Sequence, residues 1–249
     1  MKHLWNAAGL LLLLAPLTPV YAQECSIQSI LQAVYGASHE TDPGQSVCKV
    51  WPARPDITLV AAALNRQGEE GFITEDLEVL MIETTSNKVL ARRYEPHRLD
   101  ADTVRVEGLM FDTAPYALND STLAFGLRVS RKGLSRANPQ YETALSLYVP
   151  NADTLIPVLE NLQIEDSFGE WDTACAGEFS DATGTIAMGK EVSHGYHSLV
   201  LRQKVHYTRQ EAQSEEECIS AEDTTDTYRY ALVFNGKRYL IPKGLTAFE

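Results

Sequence analysis

The chain has 249 residues, of which 34 are acidic and 21 are Lys or Arg, and its formal net charge is −13. Because nucleic acids and anionic membrane surfaces repel a strongly negative protein, we expect neither as a partner. The length suits one large β domain or two small ones, with a core that needs no metal.

Residues 1–22 have the features of a secretory signal peptide. Lys2 places a positive charge near the start, and the apolar run Leu10–Leu14 that follows is too short to span a bilayer. Because the segment ends in the small residue Ala22, we predict cleavage after it. The mature chain, residues 23–249, is therefore expected in the periplasm or outside the cell, and no later apolar run is long enough for a membrane helix.

Four cysteines in an exported chain are expected to form disulfides. Three pairings are possible, and we favour Cys25–Cys48 and Cys175–Cys218 because each closes a local loop. Each bridge would contribute roughly 3 kcal/mol to stability by loop-entropy reasoning. Since no C-x-x-C motif indicates a redox or zinc site, we expect no cofactor.

The predicted elements begin with one helix over residues 25–35, where an apolar stripe recurs at helical spacing until Gly36. From Trp51 onward the apolar pattern mostly alternates, which is typical of strands. Residues 155–164 fit either a strand or a short helix, and Asn235-Gly236 predicts a hairpin turn. The predicted strands cover residues 57–64, 76–83, 88–93, 103–111, 123–130, 143–149, 199–207, 228–234 and 237–241.

This series of strands with one helix predicts a mostly β chain, either an antiparallel sandwich or a propeller-like sheet stack. Strands do not alternate with helices, so a parallel α/β sheet is not expected. We predict a single β-rich domain over residues 23–249. Two lobes, residues 23–150 and 169–249, are the alternative, with a weak boundary between Pro150 and Gly169.

A run of basic residues stands out in so acidic a chain. Arg128, Arg131, Lys132 and Arg136 follow one another with no acidic residue between them. Such a cluster could bind an anionic partner, either an envelope or extracellular protein or a glycan. The alternative is a solvated hairpin tip that keeps a sheet edge from aggregating.

Two histidines, His194 and His197, are candidate metal ligands, with Glu191 nearby. Imidazole suits zinc or copper, and three ligands with an open position would make a catalytic site. The alternative is a polar loop whose histidines are solvated or hydrogen-bonded.

A second candidate site surrounds Trp171, which lies between carboxylates in the stretch from Gly169 to Phe179. Paired carboxylates such as Asp172 and Glu178 beside an aromatic ring could bind or cleave sugars. A disulfide-pinned turn with a packed Trp171 is the alternative. Together with the histidines, this stretch defines a metal-dependent or glycan hydrolase centred on residues 171–197.

The segment Glu211–Asp226 carries seven acidic residues and no basic one. It lacks the D-x-D-x-D-G spacing of a calcium loop. We therefore predict a solvated, mobile loop anchored at Cys218.

Four short stretches carry a resemblance: Asp-Leu-Glu-Val-Leu at 76–80, Gly-Glu-Trp-Asp at 169–172, His-Gly-Tyr-His-Ser-Leu-Val at 194–200 and Phe-Asn-Gly-Lys-Arg-Tyr at 234–239. The chain resembles a group of uncharacterised exported bacterial β proteins, and some strand motifs are similar to integrin-like repeat half-blades. The calcium loop of those repeats is missing here. The resemblance implies a fold class and a compartment but no activity. The function predicted first is a non-enzymatic binding protein of the periplasm, and the hydrolase is its alternative.

Overall fold

The computed structural model describes residues 25–36, 41–65, 74–100, 104–214 and 217–247, so the predicted signal peptide lies outside the described residues. Within those ranges, no helix combines the length and the apolar character needed to cross a membrane. The elements are α1 (Ile27–Tyr35), β1 (Thr41–Trp51), β2 (Arg54–Asn65), β3 (Glu75–Glu83), β4 (Val89–Glu95), β5 (Val104–Ala117), β6 (Leu123–Gly133), β7 (Gln140–Asn151), β8 (Thr154–Trp171), β9 (Gly177–Ser193), β10 (Tyr196–Ala212) and β11 (Cys218–Leu232).

The prediction of a mostly β chain with one short helix and two disulfides is confirmed, and the bridges are Cys25–Cys48 and Cys175–Cys218. The strands form one open sheet of 11 strands, and their order along the main path is β1-β2-β3-β4-β8-β7-β6-β5. All paired strands are antiparallel except β4 and β8, which meet in parallel at Arg92 and Thr154.

Strand β8 joins the two parts of the sheet. Along its length it pairs with β7, and its second half, from Glu165 to Trp171, also pairs with β9. Strands β10 and β11 then extend the sheet outward from β9. The segment between Pro150 and Gly169, where a weak boundary was predicted, is thus occupied by one continuous strand. The single domain and the two lobes both stay predictions.

The eight strands of the main path curl around a shared core. The strands at its two ends, β1 and β5, lie beside each other, and Lys49 Nζ donates a hydrogen bond to the Phe111 carbonyl oxygen at 3.4 Å. Aromatic rings fill the interior: the centroid of Phe125 lies 5.5 Å from Trp51 and 5.8 Å from Tyr148. Because strand side chains alternate between faces, the outer face of these strands needs its own cover.

Helix α1 covers that outer face at β2 and β3. Its buried side chains, Ile30 and Leu31, pack against Val60 and Leu80, which point away from the interior. The Cys25–Cys48 bridge ties the start of the helix to β1. Strand β2 is therefore buried on both faces, which explains its nearly continuous apolar sequence.

The outer face of β6, β7 and β8 is covered by β9, β10 and the C-terminal segment. Leu199 and Leu201 of β10 join Leu145 and Leu162 in one buried cluster, with Tyr239 from the segment after β11. Residues 155–164, for which the sequence left strand and short helix open, are strand and lie within β8. The predicted strand over 237–241 is wrong, because after Asn235-Gly236 only an isolated bridge forms, between Phe234 and Tyr239.

Beyond this cluster, β10 and β11 form a ribbon that is accessible to solvent. Strand β11 is exposed over almost its entire length and buries only Leu232. The prediction of a mobile loop over Glu211–Asp226 is wrong, because β11 begins at Cys218 and pairs with β10. The acidic side chains of residues 218–227 face solvent on both sides. Backbone pairing and the Cys175–Cys218 bridge therefore hold this part of β11, which has no apolar pattern.

Candidate functional site

Arg128, the first residue of the predicted basic run, forms part of the contact between β5 and β6. Its guanidinium donates two hydrogen bonds to Asp112 Oδ2, at 2.6 Å from Nη2 and 3.0 Å from Nε. Burial alone raises the pKa of Asp112, but the hydrogen bonds from Arg128 and the Ala114 amide hold that pKa below its ordinary value. Arg128 therefore neutralises a largely buried carboxylate of its own chain.

Arg131 is buried with 8% of its surface exposed. Its Nη2 donates to the Arg98 carbonyl oxygen at 2.7 Å. Burial and the nearby Arg98 charge lower the pKa of Arg131 to about 10. The other two members of the run, Lys132 and Arg136, are exposed. Hairpin packing thus divides the run into two structural arginines and two accessible cations, whose binding role stays a prediction.

Of the predicted metal ligands, His194 lies in the tight turn between β9 and β10, and His197 follows that turn. His194 and Gly195 adopt left-handed backbone angles, with φ of 49° and 84°, as a two-residue hairpin turn requires. His194 Nδ1 lies 3.0 Å from Ser193 Oγ and 3.2 Å from the Phe234 carbonyl oxygen. Among the described residues, no three His, Cys, Asp or Glu side chains come together to hold a metal ion.

His197 follows the turn and fastens it through its backbone. Its amide donates to the Leu118 carbonyl oxygen at 2.7 Å, and its carbonyl oxygen accepts from the Tyr239 hydroxyl at 2.7 Å. This explains the place of His197 in the fold, and metal binding by the two histidines stays a prediction.

The predicted hydrolase combines the carboxylates near Trp171 with Glu191 beside the histidine turn, and these two groups are far apart. Asp172 accepts hydrogen bonds from the amides of Ala174 and Cys175 at 2.8 and 2.7 Å, and these bonds lower its pKa. Glu178 lies near the start of β9 and Glu191 near its end, so about 40 Å of extended strand separates them. The structure therefore does not unite the carboxylates near Trp171 with the histidine turn.

A cavity of about 300 Å³ opens on the outer face of β9, β10 and β11. Lys190, Arg202 and Arg229 supply three positive charges to its lining, and Glu191 supplies one negative charge. All four residues are exposed.

Arg202 and Arg229 lie directly opposite each other on neighbouring strands. On its other side, Arg202 faces Thr185 of β9. Like charges directly opposite each other in an antiparallel pair are destabilising. In the part of the chain that the structure describes, neither guanidinium has an ion pair with a carboxylate.

The same face continues with further cations and hydroxyls. Lys204, two residues after Arg202, lies opposite Thr183 on one side and Thr227 on the other. Farther along the ribbon, Asp223 pairs with His206 at 2.9 Å. We call Lys190, Arg202, Lys204 and Arg229 the basic strip.

Sequence inspection missed the basic strip because its members are scattered. Arg202 and Lys204 alternate with buried residues along β10, and Arg229 follows a strongly acidic segment. The alternation over 199–207 did indicate that Arg202 and Lys204 share a face. Only the pairing register between β10 and β11 brings Arg229 to them.

Comparison of the chain with protein families, curated proteins and solved structures found no match. The resemblance to integrin-like repeats stays a prediction.

Proposed function

We propose that this protein is an exported, non-enzymatic binding protein of the periplasm or the extracellular space, and that its basic strip contacts an anionic partner. The partner is an envelope or extracellular protein or a glycan. The observation that carries this proposal is the direct opposition of Arg202 and Arg229, with no carboxylate paired to either among the described residues. Both arginines line the cavity of about 300 Å³, where one anionic group of a partner would neutralise them together.

The proposed compartment agrees with the two disulfides, Cys25–Cys48 and Cys175–Cys218. Such bridges persist in oxidising surroundings and are rare where thiols are kept reduced. The predicted signal peptide over residues 1–22 supports the same compartment.

The negative charge of the whole chain is compatible with an anionic partner. At physiological ionic strength, charges more than about 8 Å apart are largely screened, so the basic strip is sensed mainly at contact. The acids that surround it, such as Asp223 and Glu191, would repel a misplaced anion and thereby add specificity.

The test is cross-linking of the protein in intact cells, followed by mass spectrometry of what it captures. We compare the wild-type protein with Arg202→Glu/Arg229→Glu and with Lys132→Glu/Arg136→Glu. The second variant reverses the same number of exposed charges on the sequence-predicted surface and is the matched control.

We expect one specific partner, lost with the first variant and retained with the second. Loss with the Lys132 and Arg136 variant alone would move the contact to that surface. Capture of no specific partner by the wild-type protein would overturn the binding role.

A further inference from the structure

We infer that the cavity between Arg202 and Arg229 binds a dianionic oxyanion, either a phosphate monoester or a dicarboxylate. This inference rests on the proposed function and specifies the chemistry that the basic strip recognises. The ligand is a small molecule of this class or such a group on a larger partner.

The charge of the cavity sets the charge of its ligand. Lys190, Arg202 and Arg229 against Glu191 leave two positive charges in excess in the lining. A dianion would neutralise this excess and remove the repulsion between the facing arginines. A monoanion would leave one charge uncompensated.

The geometry of paired strands suits one oxyanion held from two sides. Residues directly opposite in an antiparallel pair have Cβ atoms about 5 Å apart, so both guanidiniums of Arg202 and Arg229 can reach the same group. Each guanidinium presents a planar fork of N–H donors that matches carboxylate and phosphate oxygens.

The cavity is concave because small residues line its floor. Val200, next to Arg202 on this face, lies between Ala187 and Ala231, so nothing large rises beside the arginines. At Gly189 a Cβ atom would come within 2.1 Å of Ser198 Oγ, so a side chain there would displace that hydroxyl from the lining. A volume of about 300 Å³ lies at the lower limit of small-ligand pockets, which fits one small dianion.

The experiment titrates the purified exported protein, with both disulfides intact, with inorganic phosphate, phenyl phosphate and succinate. Binding is followed by the NMR signals of the arginine Nε–H groups and by calorimetry. The variants are Arg202→Ala, Arg229→Ala, the double alanine variant Arg202→Ala/Arg229→Ala and the double lysine variant Arg202→Lys/Arg229→Lys. Lys132→Ala/Arg136→Ala is the matched control, and thermal unfolding verifies that each variant folds.

We expect saturable binding of at least one probe with a dissociation constant on the order of 1 mM, because both arginines are exposed and water competes for their hydrogen bonds. Each single alanine variant should bind about tenfold more weakly, and the control should bind like the wild type. The double lysine variant keeps the charge but loses the forks, so its affinity should also fall. Preference for phenyl phosphate or for succinate identifies which of the two chemistries the cavity recognises.

Two results would overturn the inference: no saturation with any probe up to about 50 mM, fifty times the expected dissociation constant, or equal affinity in the wild-type and double alanine proteins. The proposed function fails separately. Partner capture that depends on Arg202 and Arg229 without binding of any probe rejects the cavity ligand alone. Probe binding without any captured partner rejects the protein or glycan partner alone.

Discussion

Two arginine-bearing regions of the sheet use the same side chain in opposite ways. In β6, Arg128 neutralises Asp112 and Arg131 is buried beside Arg98, so the fold itself occupies both. In β10 and β11, Arg202 and Arg229 oppose each other and face solvent. Basic residues that lie close together in the sequence can therefore be occupied by contacts within the fold. Charges that strand pairing brings to one exposed face are better candidates for binding.

The largest loss of stability is expected when an arginine that is paired with a buried carboxylate is replaced. Arg92 donates from Nε and Nη2 to Glu78 at 2.9 and 3.0 Å and from Nη2 to the Tyr35 hydroxyl at 2.8 Å, while the Glu78 side chain is fully buried. Arg92→Met should lower the free energy of unfolding by about 3 kcal/mol, because it leaves the buried Glu78 carboxylate without its charge partner. Urea denaturation measures this change in the free energy of unfolding.

The matched control for that variant is Arg54→Met. The Arg54–Asp56 pair spans 3.8 Å between exposed side chains, so its loss should change stability by less than about 0.5 kcal/mol. Equal losses in the two variants would show that burial of the carboxylate does not govern the effect.

The next effect concerns the predicted basic run itself. Arg128→Met should lower the free energy of unfolding by about 2 kcal/mol, since Asp112, with a side chain 9% exposed, would lose its charge partner. Urea denaturation beside Arg229→Met measures the contrast. The comparison between the two regions breaks down if the Arg229 variant loses as much stability.

A smaller effect appears in the pH dependence. The pKa of Asp112 is lowered in the folded protein, so its stabilisation is fully present above its ordinary value of 3.8 and is lost as the pH falls through the folded pKa. Denaturation between pH 7 and pH 3 should therefore show a steeper loss for the wild type than for Asp112→Asn. Parallel curves would contradict the role of the Arg128 contact.

The smallest effect has the opposite sign. Arg229→Ala should leave stability unchanged or raise it by up to about 0.5 kcal/mol, because it removes a like-charge contact with Arg202 on an exposed strand. Thermal unfolding at low ionic strength, where repulsion is least screened, is the measurement. A loss of more than about 1 kcal/mol would mean that Arg229 has a structural role after all.

The local pattern of apolar residues predicted those helices and strands that bury one face in the folded protein. The stripe from Ile27 to Tyr35 is a helix because one face of it lies on β2, and the alternation over 199–207 lies within β10. The pattern missed residues 218–227 of β11, where both faces meet water and pairing with β10 makes the strand. It also overextended the hairpin after Asn235-Gly236, because the turn is present but its second strand is not.

By itself, the sequence determined the β-rich class, the helix and the pairing of four cysteines, because side-chain period and short loop closures are local properties. Only the tertiary structure decided which charges act together. Strand register placed Arg202 opposite Arg229, while burial assigned Arg128 and Arg131 to the fold. Register depends on contacts between residues distant in the chain, and no local pattern encodes which charge will find a partner.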